Sequence, residues 1–245
     1  MKASQQNDLM PARTSASSST AAPAAAALLA DRLRALANAQ VAASMRAYLR
    51  DQFLFLGLPA PVRRAAVRDL ILRHPREAEA LIETAAALWD QPERELRYTA
   101  IDLLRHHHKA LDASHLDMLQ GWMRRDAWWE TVDSLNAVIG KIVLSDRKQG
   151  GIAQASMDHW LEHPDFWVRR AAMLHQLGWR TDTDLDRLRR YALHLAPEQE
   201  FFIRKAIGWA LRDYARQDPV WVQTFVKKHA RTLSPLTQRE ACRRL

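Results

Sequence analysis

No long run of this chain alternates apolar and polar residues as a half-buried strand does, and its apolar residues fall instead on one side of successive helical turns. The pattern predicts helices throughout. An amphipathic helix from Ala42 to Phe55 carries Met45, Tyr48, Leu49 and Phe53, and Gly57 follows as its left-handed C-terminal cap. Pro59 and Pro61 open the next helix, Val62 to His74, to which Arg63, Arg64 and Arg68 give a basic side. Another spans Glu77 to Trp89, and Asp90-Gln-Pro92 is a turn that starts one more.

Beyond that turn the pattern repeats. Segments beginning at Leu96, Trp129, Val168 and Ile203 lie roughly 35 residues apart, within the range of helical repeats. Three of them carry Arg at the second place (Arg97, Arg169, Arg204) and Ala at the fourth or fifth, while the Trp129 copy departs from both. Second helices fall between them, at Leu116 to Met123, Ala153 to Leu161, Asp184 to Leu195 and Pro219 to His229. Helix pairs of this period stack, so the expected fold is an all-α, HEAT-like helical-repeat solenoid with a concave basic groove.

Composition narrows the partners. A net charge of +8 and a pI near 10 attract polyanions, and nine tryptophans exceed what a helical core of 245 residues usually needs. Nucleic acid is the first partner to consider, ahead of an acidic protein or a membrane surface. One cysteine, Cys242, excludes an internal disulfide framework and a Cys-based zinc site, and suits a reducing compartment. The expected location is the cytoplasm, at the bacterial nucleoid when the protein acts on DNA. His106, His107 and His108 point to different faces of a helix, so neither a metal nor any other cofactor is expected. There are not eighteen consecutive apolar residues anywhere, so no membrane span is expected. Residues 1–28, rich in Ser, Ala, Gln and Thr, read as a disordered tail ahead of a single domain over 29–245. The apolar run at Ala24 to Ala30 is too short for a secretory core and merges into an arginine-bearing helix around Asp31 to Asn38.

The candidate chemistry lies in Trp128-Trp-Glu-Thr-Val-Asp133. On a helix Trp129 and Asp133 share a face, presenting a π surface beside a carboxylate, while Trp128 sits about 100° away and is expected to pack inside. Read alone, the pair is more simply explained by core packing. In a solenoid, however, equivalent positions face one groove, which brings Arg169 or Arg170 and the Lys205, Trp209, Arg212 face of the last repeat into reach of Asp133. A solvated basic face accounts for Lys205 and Arg212 equally well. Together, arginines and indoles along one groove suit a phosphate backbone and something flat or cationic.

At these residues the chain resembles the HEAT-like-repeat DNA alkylation repair glycosylases of the AlkD type, from about Met45 to Glu240. The resemblance is carried by Tyr48 to Gly57, Leu88 to Glu95, Trp128 to Ser134, Trp167 to Ala172, Glu200 to Tyr214, and Leu233-Ser with Arg239-Glu-Ala241. It implies hydrolysis of the N-glycosidic bond of purines alkylated at N3 or N7 in double-stranded DNA, leaving an abasic site without extrusion of the base. The family's catalytic aspartate falls on Asp133, its aromatic partners on Trp129 and Trp209, a contributing tyrosine on Tyr48, and its DNA-contacting arginines on Arg170 and Arg212. The Ala/Ser-rich first 28 residues and the end at Leu245 differ from the typical member.

Such a lesion already carries positive charge and leaves as a neutral base, so the catalytic demand is at the sugar, where a carboxylate stabilises the oxocarbenium and directs water. Arg170 and Arg212 would grip phosphates by forked hydrogen bonds, and Arg147 and Lys148, in a loop from Ser145 to Gly151, either add a peripheral contact or are solvated. A monomer is the simplest arrangement for a groove that accepts a duplex. Two other readings stay open: a non-catalytic repeat protein that binds damaged or branched DNA, and a scaffold for proteins, against which the arginine and tryptophan content argues.

Overall fold

Helices form where the apolar spacing predicts them. The computed structural model describes residues 21–243, and in chain order these hold α1 (Ala21–Arg34), α2 (Ala39–Tyr48), α3 (Ala60–Arg73), α4 (Ala78–Trp89), α5 (Arg94–His106), α6 (Leu116–Arg124) and α7 (Trp129–Lys148). There follow α8 (Ala153–Trp160), α9 (Phe166–Leu174), α10 (Leu185–Leu195), α11 (Phe201–Tyr214), α12 (Pro219–Lys228) and α13 (Pro235–Cys242). Among the described residues the one strand-like contact is a parallel bridge between Leu54 and Glu93. The helices α3, α5, α7, α9, α11 and α13 pack each on the next as one row, and α4, α6, α8, α10 and α12 lean on that row between them. This is the all-helical repeat solenoid expected from the period.

The repeated positions have structural explanations. Ala100, Ala171, Ala172 and Ala206 are completely covered, because only a small side chain fits where neighbouring helices approach. The recurring arginine is a clamp on the loop before its own helix. Arg97 donates to the carbonyl of Trp89 (3.1 Å), Arg169 to those of His163 (2.6 Å) and Pro164 (2.9 Å), and Arg204 to that of Glu198 (2.9 Å). Each also bonds a side chain nearby: Asp126, Glu198 and Gln199 respectively. Buried carbonyls at helix ends must find donors, and a guanidinium supplies several from one residue.

Three boundaries differ from expectation, and one of them shapes the site. The helix predicted for Ala42 to Phe55 stops at Tyr48, because Arg50 and Asp51 take left-handed backbone angles (φ 59° and 57°). The chain then runs irregularly to Pro59. There the buried carboxylate of Glu95 accepts three backbone N–H groups, from Leu56, Gly57 and Leu58, at 2.9 to 3.1 Å. Gly57 is left-handed (φ 85°) but caps no helix; a side chain on it would strike the carbonyl of Asn38, 2.1 Å from its Cβ position. The second boundary is that of the tail. Residues 21–28 belong to α1, where Ala22 and Ala26 bury against the rest of the molecule, so weakly apolar alanines suffice once a packed face receives them. The tail expected before Ala21 lies outside the described residues. Third, α7 runs unbroken to Lys148, so Arg147 and Lys148 occupy a last helical turn rather than a loop.

Candidate active site

Helix α7 begins at Trp129, so Trp129 and Asp133 are one turn apart on one face, as the spacing predicts. Trp128 is not on the helix. It is the residue before it, with extended backbone (φ −148°, ψ 158°), and the 100° separation therefore does not apply. Its indole packs edge-on to Phe202 (ring centroids 5.7 Å apart) and near Trp167 (6.2 Å), and it is half-buried on the same cleft as Trp129 rather than inside the core.

That cleft, of about 420 Å³, is walled by Tyr48 and Arg50 from the α2 end, Trp128 and Trp129, Arg170 of α9, and Phe201, Phe202, Lys205 and Trp209 of α11. A second cavity of about 430 Å³ adjoins it across Tyr48 and takes Glu130 and Ser134 of α7 among its walls. Asp133 lines neither cavity and is tied to the first through Arg170, which walls it. Its side chain is 22% exposed, and both oxygens accept from the Arg170 fork: Nε to Oδ1 and Nη2 to Oδ2, each 2.8 Å. Such a fork fixes the plane of the carboxylate and leaves its outer lone pairs open.

Arg170 was expected to grip a phosphate, but only 1% of it is exposed, and its third nitrogen donates to the carbonyl of Phe202. Its guanidinium lies 5.1 Å from the Trp209 ring. Arg212 also approaches that ring (5.9 Å) and is bound to Glu240 at 2.6 Å. The Glu240 carboxyl is pushed up by burial, yet the donors Arg212 and Trp209 and the positive charges of Arg212 and Lys205 outweigh this and hold it below its ordinary value. Arg169 is paired with Glu198, whose hydrogen bond holds the guanidinium protonated despite partial burial. Arg147 and Lys148 both bond Asp182, away from the cleft.

Of the cleft's cations, Lys205 and Arg50 have no carboxylate partner among the described residues, and Lys205 sits 5.4 Å from the Trp209 ring and 5.3 Å from that of Phe201. Tyr48, 71% exposed, meets Trp129 edge-on at 6.1 Å. The structure thus brings Tyr48, Trp129, Asp133, Arg170, Lys205 and Trp209 together, sets Arg212 behind Trp209, and leaves Arg169, Arg147 and Lys148 elsewhere. Sequence reasoning passed over Arg50, Phe201, Phe202 and Glu240. Arg50 was hidden inside a helix that ends early; Glu240 stood in a motif with no chemistry attached to it. His107 is buried with its Nε2 on the carbonyl of Ile71 (2.8 Å), and no group of three or more His, Cys, Asp or Glu among the described residues is placed to hold a metal. No described helix is long and apolar enough to cross a membrane.

Comparison with other proteins bears on the family and the fold. A family model of DNA alkylation repair enzymes matches residues 29–245. Among solved structures, a predicted DNA alkylation repair enzyme from Enterococcus faecalis is 33% identical and superposes with a TM-score of 0.78, over 85% of this chain and 96% of its own. The structure of smu.31 from Streptococcus mutans UA159 is 19% identical with a TM-score of 0.56, over 73% of this chain and 90% of its own, which speaks for the fold alone. No curated protein is significantly similar. With its sequence matched over nearly all of the helical array and its fold shared with a relative of such identity, the chain belongs to the DNA alkylation repair enzyme family.

Proposed function

We propose that the protein is a DNA glycosylase that hydrolyses the N-glycosidic bond of cationic N3- and N7-alkylated purines in duplex DNA, with Asp133 as its catalytic carboxylate. The observation that carries this reading is the pairing of Asp133: an acid held in plane by Arg170, which itself walls a cleft with Trp129 and Trp209. As the bond from the sugar carbon to the base nitrogen breaks, its electron pair neutralises the lesion's charge, so no general acid is required. The sugar carbon becomes electron-deficient and Asp133 faces it. A water attacks that carbon, Asp133 takes the water's proton, and an abasic site remains. The indoles offer π faces to the cationic sugar and base, worth about 0.5 to 2 kcal/mol per contact, less than the carboxylate.

The roles divide by pairing. Arg170 orients Asp133 rather than holding DNA, because its donors are already engaged. Lys205 and Arg50, without acidic partners, suit phosphates flanking the lesion, and the exposed Tyr48 bears on the sugar–phosphate backbone between the two cavities. A cleft walled mainly by flat rings favours reaction without extrusion of the base. The test is purified protein with an oligonucleotide duplex bearing one 7-methylguanine, scored for free base and alkali-labile strand cleavage. Release is expected; none from an intact protein that still binds the duplex would point instead to a non-catalytic DNA-binding role.

A further inference from the structure

Glu240 belongs to α13, the last helix of the array, two helices of the row beyond α9. Its side chain is 13% exposed, and one oxygen, Oε2, accepts from two residues of α11: Trp209 Nε1 at 3.0 Å and Arg212 Nη1 at 2.6 Å. The approach of α13 to α11 depends on Gly208, where an added Cβ would stand 2.5 Å from Glu240 Cβ and 3.0 Å from the carbonyl of Thr237. Backbone packing therefore sets where the carboxylate stands. A tryptophan ring held only by stacking can still swing about its two side-chain torsions, and its single N–H is the handle that stops it. Around Trp209 the stacking partners are the cations Arg170, Lys205 and Arg212, at 5.1 to 5.9 Å, and the N–H acceptor is Glu240.

We propose that Glu240 is a positioning residue for the reaction, fixing the Trp209 indole in the cleft through its N–H; this rests on the reading that Trp209 faces the lesion. The last helix is then part of the active site without touching substrate. Glutamine at 240 keeps an acceptor for the indole but loses the charge; alanine loses both. The two substitutions separate the indole's orientation from the ion pair.

The experiment is single-turnover base release from a duplex with one 7-methylguanine, at saturating protein, for wild type, Glu240→Gln, Glu240→Ala, Trp209→Phe and the double variant Trp209→Phe/Glu240→Ala. Glu240→Ala should slow release about tenfold with little change in DNA affinity. Glu240→Gln should recover most of that loss. In the Trp209→Phe background, which has no indole N–H to hold, the same Glu240→Ala change should cost no more than about twofold. Equal losses in both backgrounds, or a glutamine variant as slow as the alanine one, would overturn the proposal and leave Glu240 a structural ion-pair partner. Should the alanine variant fail to fold, the Trp209 Nε1–H proton resonance decides. Assigned by its loss in Trp209→Phe, it should exchange slowly with solvent and shift in Glu240→Gln; a fast-exchanging, unshifted signal overturns the proposal. Absence of base release by wild type is a separate outcome, which removes the glycosylase reading and this inference with it.

Discussion

Glu130 and Asp133 stand three residues apart at the start of α7, each paired with an arginine from a neighbouring helix of the row, and only Asp133 carries chemistry in the proposed reaction. Arg94 donates to Glu130 at 2.6 Å and spends its other nitrogens on Thr131 Oγ1 and the carbonyl of Asp126, while its guanidinium lies 3.7 Å over the Phe53 ring. Tyr98 adds its hydroxyl at 3.2 Å, and burial beside the Glu130 carboxylate pushes that phenol well above its ordinary range. Arg94 is buried, while Glu130, 13% exposed, forms part of the wall of the second cavity. Arg170 makes the same kind of pair with Asp133, but its companions are Trp209 and the open cleft with the unpaired Lys205 and Arg50. An arginine–carboxylate pair is thus no signature of a site by itself. What distinguishes the second pair is the cleft that Arg170 walls, where indoles stand together with cations that have no acidic partner among the described residues.

That contrast breaks most sharply on substitution. Arg94→Met leaves Glu130 buried without its cation and should cost about 3 to 5 kcal/mol of unfolding free energy in a denaturant titration, with base release per folded molecule little changed. If stability held and release vanished instead, the two pairs would have exchanged roles. Asp133→Asn should do the reverse, lowering base release roughly 10²- to 10³-fold while DNA affinity persists. A rate equal to wild type would move the chemistry away from α7. Both comparisons need a pH at which the scaffold is intact, and His175 contributes to that limit. It is buried, takes a hydrogen bond from Gln154 on Nε2 and donates from Nδ1 to the Ala172 carbonyl, and burial lowers its pKa from 6.5 to about 4. The unfolded chain therefore binds the extra proton, so the contribution is complete above about pH 6.5 and is lost as pH falls toward 4, in all about 3 kcal/mol at roughly 1.4 kcal/mol per pKa unit. Denaturant midpoints from pH 7.5 down to 4 would follow it, and His175→Gln should flatten that slope. The smallest effect separates the cations. Lys205→Ala should weaken DNA binding and reduce the slope of log affinity against log salt by about 0.9, whereas Arg170→Lys should slow release and leave that slope alone. A slope reduced equally by both would return Arg170 to the phosphates.

Much of this was legible in the chain. The period of about 35 residues announces stacked helix pairs because each repeat must bury its apolar face on the next, and the interval between Trp129 and Asp133 places them together whatever the tertiary fold. The repeated arginine was legible as a pattern but not as a function, since loop clamping at Arg97, Arg169 and Arg204 and phosphate binding call for the same side chain. Arg50 could not be found while its segment read as helix, and the break there comes from two consecutive left-handed residues that no glycine marks.

By itself, then, the sequence determined the helices, their period and the Trp129–Asp133 face, because these depend on spacing within one helix or between equivalent turns. Only the tertiary structure decided which charges are satisfied. Arg169, Arg170 and Arg212 meet acids roughly 30 residues or more away, at Glu198, Asp133 and Glu240, and Lys205 meets none among the described residues. Pairing is set by distances of a few ångströms between different repeats, and local periodicity carries no information on that scale.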